Sequence, residues 1–223
     1  MNIKIKNKTK KTAQAAEIVA RLKERYPEST CALEYGGEPW KLLVMGRLSA
    51  QCTDARVNIV CVDLFERFPT VEAMADAPLE EIEEIVRPCG LYRTKAANIK
   101  DACRMLRDEF GGVLPADMDR LLKFPGVGRK IANLLLGDIY HLPAIVADTH
   151  CIRICGRLGF YSETEKDPHR VEATMVQLVE PSEQSDFCHR IVWFGREVCT
   201  ARSPKCHECP LADVCARGQK QKL

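Results

Sequence analysis

The sequence predicts an all-α fold. Apolar residues recur with helical period along nearly the whole chain, no run alternates as a β-strand would, and the segments between periodic stretches are short. No internal repeat is present. Taken in order, Ala13 to Arg25 is one amphipathic segment, and Trp40 to Ser49 and Thr53 to Arg67 are two more. Leu79, Ile82, Ile85 and Val86 mark a short helix that stops near Pro88 and Gly90. Ile99, Cys103, Leu106 and Phe110 put an apolar stripe on a long helix, which Gly111-Gly112 ends. Leu121 and Leu122 lie on a short helix before a glycine turn, and Ile131, Leu134 and Leu135 line the helix after it. Thr149 to Leu158, Val171 to Val179 and Phe187 to Cys199 complete the set, with Pro143 a boundary between two lobes.

The 223 residues are 46% hydrophobic and 29% charged, ordinary values for a globular protein. No apolar run approaches the roughly 20 residues that a membrane span needs, and MNIKIKNKTKK has no apolar core of a secretory signal. Both absences point to the cytoplasm. The net charge of +2 means that binding to nucleic acid would need local basic patches. Lys4, Lys6, Lys8, Lys10 and Lys11 form one patch, whose plain reading is a solvated, disordered tail.

Residues 124–130 read FPGVGRK. Gly126 and Gly128 follow a proline, and a helical pattern begins at once. Such a turn beside a helix N-terminus holds an anion, typically a phosphate. With Leu121 and Phe124 before it, and helices on both sides, the spacing is a helix-hairpin-helix signature in which Gly126, Val127, Gly128 and Arg129 grip a sugar-phosphate backbone without reading sequence. Lys130 falls in the first turn of the second helix. A lysine there is ordinarily a surface residue, but it is also a candidate amine nucleophile. An amine must lose its proton to attack, and burial in a cleft and the positive end of a helix both favour the neutral form. Asp148, in the segment ADTH, directly precedes a helical pattern. It reads as an N-cap, and a rigid capping carboxylate could also stabilise a developing sugar cation or accept a proton. His150 reads as a structural histidine.

The twelve cysteines divide into two groups. Eight are scattered among apolar residues and read as reduced core positions, Cys151 and Cys155 on one helix face included. Cys199, Cys206, Cys209 and Cys215 instead form C-x6-C-x2-C-x5-C near the end of the chain. Four thiolates so placed can hold a [4Fe–4S] cluster. Zinc also accepts four, usually as two separated C-x2-C pairs, and only one such pair occurs here. Between the first two cysteines, Arg202 and Lys205 sit in a loop pinned at both ends, suited to a phosphate contact or simply solvated.

Together these segments resemble the endonuclease III family of DNA glycosylase/AP lyases over nearly the whole chain. LSAQCTD (Leu48–Asp54), GLYRTKA (Gly90–Ala96), FPGVGRKIA, ADTHCIR and the cysteine spacing each match a family motif. The resemblance implies a six-helix barrel over residues 32–142, with the helix-hairpin-helix at about 117–139. Residues 1–31 and 143–223 would form an iron–sulfur cluster domain, with DNA in the cleft between the lobes. It implies a monomer acting on double-stranded DNA that carries damaged bases or abasic sites, in the cytoplasm at the nucleoid. Lys130 would be the nucleophile and Asp148 the essential carboxylate. Gln51 and Leu91 would insert into the space left by an extruded nucleotide. The substrates implied are oxidised pyrimidines and abasic sites, with strand cleavage by β-elimination. Lys130 separates this branch from the adenine- and thymine-mismatch glycosylases, which lack it; a monofunctional relative or a non-catalytic helix-hairpin-helix protein are the alternatives. Five positions depart from the family pattern: Gly46-Arg47 replaces apolar residues, Cys52 a small residue, Phe124 a leucine and Ile131 a threonine.

Overall fold

The computed structural model describes residues 3–221, and among these the only regular elements are helices. Helix α1 (Lys8–Arg25) is followed by α2 (Pro39–Leu48), α3 (Asp54–Arg67), α4 (Val71–Asp76), α5 (Leu79–Val86), α6 (Tyr92–Phe110), α7 (Met118–Leu121) and α8 (Arg129–Tyr140). Then come α9 (Thr149–Leu158), α10 (Pro168–Met175), α11 (Gln184–Glu197) and α12 (Ala216–Gln221). The chain divides into two compact units. The internal unit spans Cys31–Tyr140, and the terminal unit joins the residues up to Thr30 with those from His141 onward. No helix among the described residues is long and apolar enough to cross a membrane.

Local sequence explains where these helices start and stop. Pro39 opens α2 with its φ already set for a helix. Thr53 and Thr70 cap α3 and α4, accepting from Arg56 N at 3.3 Å and Ala73 N at 3.1 Å. Gly111 takes a left-handed φ of 58° to end α6. Helix α4 is too short to show a period, and α12 is mostly polar, so periodicity finds neither. Helix α10 begins earlier than its apolar stripe implies, at Pro168 behind the Asp167 cap, and ends at Met175; Leu178 and Val179 follow in turns. The N-terminal lysines are not wholly a disordered tail. Lys8, Lys10 and Lys11 lie in α1, and Lys11 Nζ donates to Phe160 O at 2.7 Å.

In the terminal unit, Ile18 and Leu22 of α1 pack with Ile154, Phe160, Val171, Phe187, Ile191 and Phe194. Cys151 and Cys155 belong to this core, and Cys61, Cys89, Cys103 and Cys188 are buried too; Cys31 and Cys52 are only half-buried. Burial pushes the Cys61 and Cys103 thiols up to about 12, which keeps them protonated and unreactive.

In the internal unit, α2 is buried on nearly every side, through Trp40, Leu42, Leu43, Val44, Met45, Gly46 and Leu48. Two departures from the family pattern answer each other here. A Cβ on Gly46 would stand 3.2 Å from Ile131 Cγ2, so the larger side chain on α8 occupies the space that glycine leaves on α2. Phe124 is likewise a core residue: it is buried, and its ring lies 5.1 Å from that of Phe110 at the end of α6. The Gly46–Ile131 pair should therefore behave non-additively. Gly46→Val is expected to overpack the interface and cost about 1–3 kcal/mol, and Ile131→Ala to leave a cavity costing about 2–5 kcal/mol. Together they should be less destabilising than the sum by about 1 kcal/mol or more in denaturant titrations; strict additivity would refute the pairing.

Candidate functional site

The glycine turn lies between α7 and α8. Asp117 caps α7 by accepting from Arg120 N at 2.9 Å. The chain then reverses through Phe124 N→Leu121 O at 3.2 Å and Val127 N→Phe124 O at 3.0 Å. Gly126 has φ of 75°, and a Cβ there would also strike the side chains of Arg47 and Asn98. Glycine is thus required at this position twice over, by the backbone and by its neighbours. Gly128 differs: it is not left-handed, and a Cβ there would meet nothing within 4 Å. Arg47 explains its own place in α2. With the Asn98 amide turned so that its oxygen faces the guanidinium, Asn98 accepts from Nε at 3.0 Å and from Nη2 at 2.9 Å. A cation from α2 and an amide from α6 therefore buttress the turn from inside.

Lys130 stands in the first turn of α8 and is exposed, so the chain's own packing does not supply the burial expected of an amine nucleophile. In the terminal unit, Asp148 is the N-cap of α9, its Oδ1 accepting from Cys151 N at 2.7 Å. The carboxylate is half-buried. His150 lies against its own unit: its Nδ1 is 3.3 Å from Arg153 Nη2, and a Cβ on Gly195 would run into it. That is a structural placement.

Gln51 and Leu91 share a backbone feature. Both are exposed and both are left-handed, with φ of 55° and 48°. Leu91 shows 60% of its surface, unusual for a leucine. Strain of this kind gathers at functional positions because the surrounding structure must hold it in place. Tyr92, next to Leu91, is flanked by the guanidiniums of Arg87 and Arg93 at 5.3 and 5.7 Å from its ring centre.

Cys199, Cys206, Cys209 and Cys215 line one cavity of the terminal unit, with Ile154, Phe194 and Leu211 behind them. Among the described residues no three Cys, His, Asp or Glu side chains gather tightly enough for a single metal ion. Zinc draws its sulfurs in to about 2.3 Å from one centre, whereas a cluster of four irons takes one thiolate on each and spreads them. Four thiols around one shared cavity supply the four ligands that a [4Fe–4S] cluster takes. Burial pushes Cys209 up to about 11 and raises Cys215, so these thiols surrender protons when they bind metal.

Arg157 is a residue that sequence reasoning missed. It is buried, and it holds the loop between the first two cysteines, with Nη1→Thr200 O and Nη2→Ala201 O both at 2.7 Å and Nη1→Cys199 Sγ at 3.3 Å. Arg153, one turn earlier on α9, donates to Cys199 O at 3.0 Å. The i,i+4 spacing of the two arginines was the available signal. Arg202 and Lys205 are exposed on the loop so held.

Residues 44–181 match the model of the HhH-GPD superfamily of base excision DNA repair proteins, and residues 199–215 match the iron–sulfur binding domain of endonuclease III. The chain is 42% identical to endonuclease III of Synechocystis sp. over 98% of its own length and 99% of that protein's. A solved non-covalent endonuclease III–DNA complex is similar at a TM-score of 0.88 and 41% identity, covering 95% of this chain and 98% of the other. A trapped covalent endonuclease III–DNA intermediate is similar at 0.88 and 40%, covering 95% and 99%.

Loss of Arg157 should loosen the cysteine loop. Arg157→Leu is expected to weaken cluster retention about 10–100-fold, as loss of a supporting hydrogen-bond partner does at metal sites. Iron and acid-labile sulfide per chain would read this out, and full occupancy in the variant would show that the loop holds without it.

Proposed function

The chain belongs to the endonuclease III family of the HhH-GPD superfamily, and from that premise we propose how its residues divide the work. The protein is a base excision repair DNA glycosylase with AP lyase activity; it binds DNA and carries a [4Fe–4S] cluster. The internal unit is the helix-hairpin-helix domain and the terminal unit the cluster domain. Both candidate catalytic residues belong to one chain, so a monomer suffices, and the enzyme works at the nucleoid in the cytoplasm. The substrates are duplexes carrying oxidised pyrimidines such as thymine glycol, or abasic sites.

Lys130 is the observation that carries this reading. It follows the glycine turn directly, in the first turn of α8, where backbone N–H groups and the helix dipole favour a phosphate nearby. Gly126, Val127, Gly128 and Arg129 hold the backbone there. The open space at Gly128 fits close approach by DNA, since nothing inside the protein demands glycine at that position. Lys130 is exposed in the free chain, so its desolvation comes with bound DNA. The damaged nucleotide leaves the stack, and Gln51 and Leu91 fill the gap from their strained loops.

The neutral Lys130 Nζ attacks C1′, and the C1′–N bond to the base breaks, its electron pair leaving with the base. Asp148, fixed as a helix cap, stabilises the positive charge that develops on the sugar and takes up the amine's proton. The sugar opens to a Schiff base on Nζ. Removal of a C2′ proton then expels the 3′ phosphate, which cuts the strand, and water releases the lysine. Cys199, Cys206, Cys209 and Cys215 hold the cluster, which fixes the loop so that Arg202 and Lys205 meet phosphates.

Borohydride should trap a covalent complex between the protein and duplex DNA bearing a lesion. Lys130→Gln should abolish both trapping and strand cleavage; cleavage without any adduct would overturn the lyase assignment. Asp148→Asn separates cap from charge. Asparagine caps as well as aspartate, so thermal stability should hold within about 0.5 kcal/mol while turnover falls about 100-fold or more. Arg202→Ala and Lys205→Ala should each lower the slope of log affinity against log salt by about 0.9; unchanged slopes would remove the loop from the interface.

A further inference from the structure

Lys95 is fully buried on α6, yet no carboxylate holds it. Its Nζ donates to Leu48 O at 2.9 Å and to Cys89 O at 2.7 Å. Leu48 O is the last carbonyl of α2, the negative end of that helix. Cys89 ends the short 3₁₀ turn Arg87–Cys89. The first carbonyl precedes Gln51 by three residues, and the second precedes Leu91 by two. Gln51 and Leu91 are two of the four non-glycine residues with positive φ among those described. The backbone of residue 95 acts on the same place, since Lys95 N donates to Leu91 O at 3.0 Å. Each loop also closes on itself, through Cys52 N→Ser49 O at 3.1 Å and Gly90 N→Arg87 O at 3.2 Å. Neither of these bonds ties one loop to the other; the ties between them are the two Lys95 bonds and the weak contact of the Cys52 and Cys89 thiols.

A buried ammonium on two carbonyls is a costly way to fill a core, because burial penalises its charge and an apolar side chain of the same length would pack as well. What it adds is geometry. One rigid group fixes the ends of two strained, exposed loops at a set separation.

We propose that Lys95 is a positioning residue that braces the Gln51 and Leu91 loops as one unit, so that both side chains enter the duplex at a fixed spacing. The proposal rests on reading those two residues as the groups that fill the space of the extruded nucleotide. Lys95→Met keeps the length of the stem and removes both hydrogen bonds. Base removal from a lesion duplex should fall about 100-fold, the scale of a misplacement of about 1 Å. Borohydride trapping on a single-stranded oligonucleotide with a preformed abasic site should stay within about twofold, because no base is extruded there and no gap is filled. Gln51→Ala and Leu91→Ala should show the same split, and Lys95→Met combined with Leu91→Ala should lose little more than the worse single variant. Normal duplex activity in Gln51→Ala and Leu91→Ala would sink the wedge reading itself. Wedge variants that lose activity beside a fully active Lys95→Met would overturn the brace alone, as would equal losses by a folded Lys95→Met on both substrates. Should Lys95→Met not fold, Lys95→Gln, with a donor on a shorter arm, carries the same comparison.

Discussion

Three consecutive residues at the buried end of α2 set most of the geometry of the internal unit. Gly46 lets α8 approach until Ile131 fills the space where a side chain would be. Arg47 lies under Gly126 and bonds Asn98, so the glycine turn rests on it. Leu48 offers its carbonyl to Lys95, which ties the loop of Leu91 to the loop of Gln51. Because α2 is buried on nearly every side, it cannot shift without opening the core. The glycine turn, the helix that bears Lys130 and the loops of Gln51 and Leu91 are thus referred to one fixed helix. Catalytic positioning of this kind is worth more on a rigid element than on loops that move separately.

Helix α9 has the same role in the terminal unit. Its N-terminus is capped by Asp148, and its middle and last turns carry Arg153 and Arg157, which hold the cysteine loop through Cys199, Thr200 and Ala201. The Asp148 cap and the two arginines that hold the cysteine loop are therefore parts of one short helix whose buried face is anchored by Ile154, Cys155 and Leu158. The cysteine loop and the helix capped by Asp148 are thus held to each other by Arg153 and Arg157.

Those parts of the protein whose chemistry is local were legible in the sequence. The stripe of α6 with Gly111 after it, the exact span of α9 and the C-x6-C-x2-C-x5-C loop depend on residues near one another in the chain. The residues that join elements were not. Lys95 lies in a polar stretch of α6, where a lysine ordinarily points to water, and only the two distant carbonyls reveal why it does not. Arg157 likewise reads as a surface charge until the loop beyond residue 198 is folded over it. Gly46 and Ile131 look like two unrelated departures because 85 positions separate them. Burial expected for Lys130 failed for a different reason: in the first turn of α8 no side chain of the protein covers it.

Net charge hid the electrostatics for the same reason. Several exposed cations of the terminal unit are paired with carboxylates, as in Arg21–Asp213 at 2.7 Å and Lys23–Glu183 at 2.6 Å. Cations that hold the working elements are treated otherwise. Arg47 rests on an amide oxygen, Lys95 on two carbonyls, and Arg157 on two carbonyls and a cysteine sulfur. Neutral oxygens satisfy the donors but do not cancel the charge, and in a medium of low polarizability that charge is felt farther than at the surface. Uncancelled cations therefore stand beside the turn and beside the loops of Gln51 and Leu91, although the chain sums to only +2. Of these partners only Asn98 is a side-chain amide, so Asn98→Asp would keep the hydrogen bonds and cancel the charge of Arg47.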